Sequence, residues 1–147
     1  MKIIVINGPN LNLLGKRQPE IYGSMTLADI EAGLIRLGRE LGIEVGCLHS
    51  NSEGTLVDHL QEAGRTSDGI ILNAAAYTHT SVALRDAVLC CPVPVVEVHL
   101  SQPAAREAFR HTSLLAGACA GSIAGFGAQS YALALWWFSR RPSSFFS

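Results

Sequence analysis

Two lysines in 147 residues, and eleven basic against twelve acidic side chains, leave this chain with little charge of either sign to spare. A formal net charge of −1 offers no basic stripe, so nucleic acid is not an expected partner. No apolar run approaches the roughly 18 residues that cross a bilayer. The opening MKIIVINGPN also lacks the basic segment, apolar stretch and small-residue cleavage site of a secretory signal. A cytoplasmic protein without membrane contact is expected. Cys47, Cys90, Cys91 and Cys119 form no CxxC pair, and the five histidines form no HExxH, so reduced, mostly buried thiols and no metal are expected. The first turn reads GPNLNLLG, which is neither of the glycine patterns that cradle phosphates, and no nucleotide or other cofactor is expected. Asn7 and Asn10 stand where a phospho-acceptor receiver domain would need carboxylates.

What is present is a regular alternation. Short apolar runs at Lys2–Ile6, Ile43–Leu48, Gly69–Leu72, Pro94–Val98 and Cys119–Ile123 read as strands. Between them, Thr26 can cap a helix with Leu27, Ile30, Leu34, Leu37 and Leu41 on one face. Leu56, Val57, Leu60 and Ala63 mark a second helix, Val82–Leu89 a third, a short piece near Ala104–Phe109 a fourth and Gln129–Phe138 a fifth. Strands apolar enough to be covered on both faces imply an α/β, flavodoxin-like fold: five parallel strands with helices on both faces. The length fits one domain over residues 1–147, with about 139–147 either frayed or packed on a neighbouring subunit.

In such a sheet, ligands bind beyond the carboxyl ends of the strands. The first strand runs into Asn7-Gly8-Pro9-Asn10, the second into His49-Ser50-Asn51, the third into Asn73, and the fourth through Glu97-Val98-His99 into Leu100-Ser101. Any one Asn or Ser here could serve only a turn or a helix cap. Strand alternation puts Glu97 and His99 on one side, where a carboxylate can orient an imidazole; on spacing alone a functional pair and a structural histidine both stay open. Leu11–Gly23, with its stretch Gly15–Gly23 rich in Gly, Pro and charge, reads as a long irregular loop over the same edge, a candidate lid in which Arg17 and Tyr22 are either functional or merely solvated.

Four blocks together resemble the type II 3-dehydroquinate dehydratases, from the first strand to about Trp136. They are Asn7 to Gly15 with Arg17 and Tyr22-Gly23, Ser50 to Gly54, Asn73 with Ala76 to Ser81, and Glu97 to Ser101 followed by Arg106-Glu107 and Phe109-Arg110. The resemblance implies a lyase that converts 3-dehydroquinate to 3-dehydroshikimate through an enolate, with no Schiff base, in aromatic biosynthesis or quinate breakdown. It assigns Tyr22 as base, Arg17 as the cation that keeps it ionised, Asn10 as holder of an enolate-stabilising water, and His99 with Glu97 as acid. Asn73 and the main-chain N–H groups of Leu100 and Ser101 would grip the carboxylate. His79 and Arg110 would hold ring hydroxyls, Asp86 would reach across a subunit contact, and Arg106 would support the site. A homo-oligomer, a dodecamer built as a tetramer of trimers, is also implied. The chain departs from the family's usual residues at Ala74 for proline, Gln102 for asparagine, His49 and Ser52 for glutamine and histidine, and Cys90 for an acidic residue. Other readings of the same residues are a ligand-binding module without turnover, and an assembly protein that uses Trp136-Trp137 and Phe145-Phe146.

Overall fold

The computed structural model describes residues 1–16, 18–22 and 24–141, without the side chains of Ile21 and Tyr22. Arg17, the Tyr22 side chain and the tail with Phe145-Phe146 therefore lie outside the described residues. The order is β1 (Lys2–Asn7), α1 (Pro19–Tyr22), α2 (Leu27–Leu41), β2 (Glu44–His49), α3 (Glu53–Thr66), β3 (Gly69–Asn73), α4 (Val82–Leu89), β4 (Val95–His99), β5 (Gly121–Ala124) and α5 (Gln129–Ser139). All four strand pairings are parallel and the spatial order is β2-β1-β3-β4-β5, the flavodoxin-like arrangement.

Alternation along the strands divides the core in two. Ile3, Val5, Ile71, Val96 and Val98 meet Leu27, Ile30 and Leu34 of α2 and Tyr131, Leu135 and Phe138 of α5. Ile4, Ile6, Ile70, Leu72 and Val95 meet Leu56 and Leu60 of α3 and Leu84 and Val88 of α4 on the other face. Helices α2, α3 and α4 start where side chains satisfy one of their first N–H groups. Thr26 Oγ1 accepts from Asp29 N at 3.1 Å while the Asp29 carboxylate accepts from Thr26 N at 3.0 Å, Ser52 accepts from Thr55 N at 3.4 Å, and Ser81 from Leu84 N at 2.9 Å. For Ser52 and Ser81 the plain capping role is thus realised. Among the described residues no helix is long and apolar enough to cross a membrane.

Three expectations need correction. The helix expected near Ala104–Phe109 is instead two 3₁₀ turns, Pro103–Ala105 and Ala108–Arg110, separated by Arg106 in an extended conformation. The segment Leu11–Gly23, read as wholly irregular, contains a 3₁₀ turn at Leu11–Leu13 and the single helical turn α1. The thiols are not mostly buried: Cys90 is exposed and Cys47, Cys91 and Cys119 are half-buried, all four free.

The loops after β1 and β3 touch backbone to backbone. Gly8 N donates to Asn73 O at 2.8 Å, and a Cβ on Gly8 would stand 2.6 Å from the Ala74 carbonyl oxygen. Gly8→Ala should therefore destabilise the protein by about 1–3 kcal/mol. At Gly42, where φ is +73° and nothing lies within 4 Å, alanine meets only the left-handed backbone penalty of about 1–2 kcal/mol. Urea unfolding checks both, and only Gly8→Ala should also weaken ligand binding at the strand ends.

Candidate active site

A cavity of about 150 Å³ opens above the carboxyl ends of β1, β3 and β4, where strand order reverses between β1 and β3. Pro9, Asn10, Leu11 and Leu14 line it from the first loop, and Asn73, Ala75, Ala76 and His79 from the third. The fourth contributes His99, Leu100 and Ser101, followed by Pro103, Arg106 and Arg110. Two imidazoles and two guanidiniums face it and, among the described residues, no carboxylate lines it, so the cavity suits an anion.

The carboxylate lies one layer behind. Glu97 is 1% exposed. Its Oε1 accepts from His99 Nε2 at 2.6 Å and from the Ser113 hydroxyl at 2.8 Å, and its Oε2 accepts from the Ser122 hydroxyl at 3.0 Å. Ser113 Oγ itself accepts from Leu115 N and Ala116 N, so its one proton is committed to Glu97. Burial pushes the Glu97 carboxyl up, but the hydrogen bond and charge of His99, with Ser113 and Ser122, outweigh it and hold the pKa below the usual carboxylate value. An ionised acceptor requires hydrogen on His99 Nε2, which leaves Nδ1 as the nitrogen that can gain or lose a proton. His79 lies parallel to that ring, 6.4 Å between centroids, with its Nδ1 donating to Thr112 O at 2.8 Å. Its Nε2 remains for a ligand. Arg106 Nη1 lies 3.4 Å from Ser101 Oγ, and Arg110 Nε donates to Glu107 Oε2 at 2.9 Å.

Two lining residues have left-handed backbone. Asn10 has φ +68°, and its N–H donates to Asn51 Oδ1 at 2.9 Å, while the Asn51 carbonyl accepts from the Tyr77 hydroxyl at 2.8 Å. Asn51 thus clips the loop after β1 to the one after β3. Ala75 has φ +51°, which costs alanine about 1–2 kcal/mol, and its N–H donates to Asn73 Oδ1 at 3.1 Å. Ala74, standing for proline, keeps a proline-like φ of −77° and is fully buried.

Of the residues expected at the site, Asn10, Asn73, His79, His99, Leu100, Ser101, Arg106 and Arg110 are brought together, with Glu97 behind them. Asp86 is exposed on α4 and does not line the cavity. The sequence reading gave no role to Ser113, Ser122, Asn51 or Tyr131. Tyr131 is fully buried, donates to Asn7 Oδ1 at 2.6 Å and accepts from Asn73 Nδ2 at 2.8 Å. Burial, more than any other influence, raises its pKa. Among the described residues no group of three or more His, Cys, Asp or Glu is placed to hold a metal ion.

Because Glu97 has a lowered pKa, its contribution to stability is present above the unfolded glutamate value of about 4.3 and is lost as pH falls through the folded value. Glu97→Gln should cost about 3 kcal/mol at neutral pH. It should also make stability fall less steeply with acid below about pH 4.3. Parallel stability curves in urea titrations across that range would rule out an ionised Glu97.

The family model for dehydroquinase class II matches residues 1–139. The 3-dehydroquinate dehydratase of Geotalea daltonii is 57% identical over 135 residues, 92% of this chain and 94% of that one. That of Rhizobium johnstonii is 58% identical over 133 residues, 90% and 92% of the two chains. The crystal structure of type II dehydroquinase from Butyrivibrio crossotus superposes with a TM-score of 0.91 at 42% identity, covering 93% of this chain and 96% of that one. With the family model matched along nearly the whole described length and the same fold in a solved relative, the chain belongs to the class II dehydroquinase family.

Proposed function

We propose that this protein dehydrates 3-dehydroquinate to 3-dehydroshikimate by acid–base elimination. The observation that carries the reading is the buried Glu97–His99 pair, which leaves one imidazole nitrogen for proton transfer beside a cavity with a cationic lining. Loss of water from a β-hydroxyketone needs a base at the carbon beside the ketone, a partner for the enolate oxygen and an acid at the departing hydroxyl. Tyr22, as phenolate, takes the carbon proton. The electron pair moves onto the ketone oxygen as an enolate, held by a water on Asn10. Collapse of the enolate forms the ring double bond as the C–O bond breaks, and His99 Nδ1 gives its proton to the hydroxyl, which leaves as water. Exchange with solvent returns Tyr22 and His99 to their starting states.

Keeping a tyrosine ionised about two units below its usual pKa of about 10 requires roughly 3 kcal/mol, and the permanently charged Arg17 is a suitable source. The loop that carries both would close over bound substrate. The reacting hydroxyl sits on the carbon that bears the carboxylate, so Asn73 and the N–H groups of Leu100 and Ser101 would hold that carbon by its anion. His79, with Nε2 left over, and Arg110 would take the ring hydroxyls, while Arg106 steadies Ser101.

All of this sits in one domain. Asp86, exposed on α4, would complete the site of a neighbouring copy, and the exposed Val82, Leu89, Phe109 and Phe126 support a homo-oligomer, a dodecamer built as a tetramer of trimers. Free cysteines support a cytoplasmic setting.

The test is the ultraviolet rise of the conjugated enone when metal-free protein meets 3-dehydroquinate. Tyr22→Phe, Arg17→Ala and His99→Ala should each lower kcat by about two or more orders of magnitude with the fold retained. Borohydride added with substrate should leave the protein's mass unchanged. Near-normal turnover in Tyr22→Phe, or a reduced adduct on Lys16, would overturn the mechanism.

A further inference from the structure

Tyr131 lies on α5, where the buried Ala134, Leu135 and Phe138 pack in the apolar core, yet its hydroxyl stands between two asparagines at the ends of neighbouring strands. Asn7 and Asn73 are paired in the β1–β3 register, and both are essentially without solvent exposure. The direction of this chain of bonds is fixed from one end. The Ala75 N–H can only donate, so it requires Asn73 Oδ1 and turns Asn73 Nδ2 towards the tyrosine oxygen. Tyr131 must then send its single proton to Asn7 Oδ1. With the reverse amide orientation, Asn73 Nδ2 would oppose the Ala75 N–H, donor against donor. Asn73 is left with one uncommitted Nδ2 hydrogen and no freedom to exchange it for an acceptor.

We infer that Tyr131 is a positioning residue for anion recognition: with Asn7 and the Ala75 N–H it locks Asn73 so that the amide offers the cavity a donor, selecting a carboxylate over an uncharged group. The inference rests on the proposed role of Asn73 in holding the substrate carboxylate. An amide free to flip could present its oxygen to the anion for part of the time, and a buried site that must desolvate a carboxylate discriminates most when its donors cannot reorient. Tyr131 adds to the constraint set by the Ala75 N–H, holding the amide nitrogen from the far side of the asparagine, out of reach of the substrate.

The experiment compares 3-dehydroquinate with its methyl ester, which keeps the ring and leaving hydroxyl but lacks the anion. In the parent protein kcat/KM should favour the acid strongly. Tyr131→Phe, which keeps the ring in the core, should shrink that preference about tenfold, mainly through KM for the acid, with kcat within about threefold. Asn7→Ala, which leaves the tyrosine in place but takes away its acceptor, should shrink it in the same direction. In an Asn73→Ala background, adding Tyr131→Phe should change the preference no further, since the tyrosine acts only through that amide. Equal losses for acid and ester, or an additive loss in the Asn73→Ala background, would make Tyr131 a packing residue and overturn the inference. Absence of turnover in the parent protein would instead remove the functional reading beneath it.

Discussion

A carboxylate that is 1% exposed stays ionised only if its surroundings replace the water it has lost, and the rest of this site depends on Glu97 meeting that condition. Three donors do so, from parts of the chain far apart in sequence: His99 two residues on along β4, Ser113 in the irregular stretch before β5, and Ser122 within β5. The consequence reaches the surface through His99. With Nε2 bound to a fixed anion, the ring cannot choose its tautomer or swing away, and Nδ1 is the nitrogen left for another partner. The segment after Thr112 is held by the same logic, since Ser113 serves Glu97 while the Thr112 carbonyl orients His79.

The sheet divides labour between its faces. Glu97 and its serines lie on the α3 and α4 side, beside Cys119, whose thiol is pushed up to about 12 by burial first and by Glu97 second. Asn7, Asn73 and Tyr131 lie on the α2 and α5 side. The cavity straddles the strand ends between these two polar clusters, so the His99 imidazole and the Asn73 amide reach it from opposite faces. Neither cluster could be moved to a helix, because only the last residues of parallel strands bring several side chains to one edge at fixed spacing.

Fold class was legible because both faces of the sheet are buried and the strands are therefore nearly uninterrupted apolar runs between helices of clear period. Strand ends were each misread by a residue or so for a functional reason: Asn7, His49, Asn73 and His99 are polar, yet they continue the strands and place the site. The Glu97–His99 pair followed from period-two alternation. Ser113 and Ser122 carried no signal, being ordinary polar residues in a stretch without period, and Tyr131 looked like one more apolar position of α5. Ala75 was hidden for a different reason. Left-handed backbone is usually announced by glycine, and here strain is accepted at an alanine whose N–H fixes Asn73. The expected fourth helix is broken into two short turns at Arg106, whose backbone is extended and whose guanidinium lies 3.4 Å from Ser101 Oγ.

The central claim is that Glu97 commits His99 Nε2 and leaves Nδ1 to exchange the proton. Nitrogen-15 NMR of the histidine side chains across a pH titration addresses it directly. The account predicts that Nε2 of His99 stays protonated at every pH at which the protein is folded, while Nδ1 alone moves from the protonated to the unprotonated shift. Titration at Nε2, or a mixture of both tautomers at high pH, would contradict it.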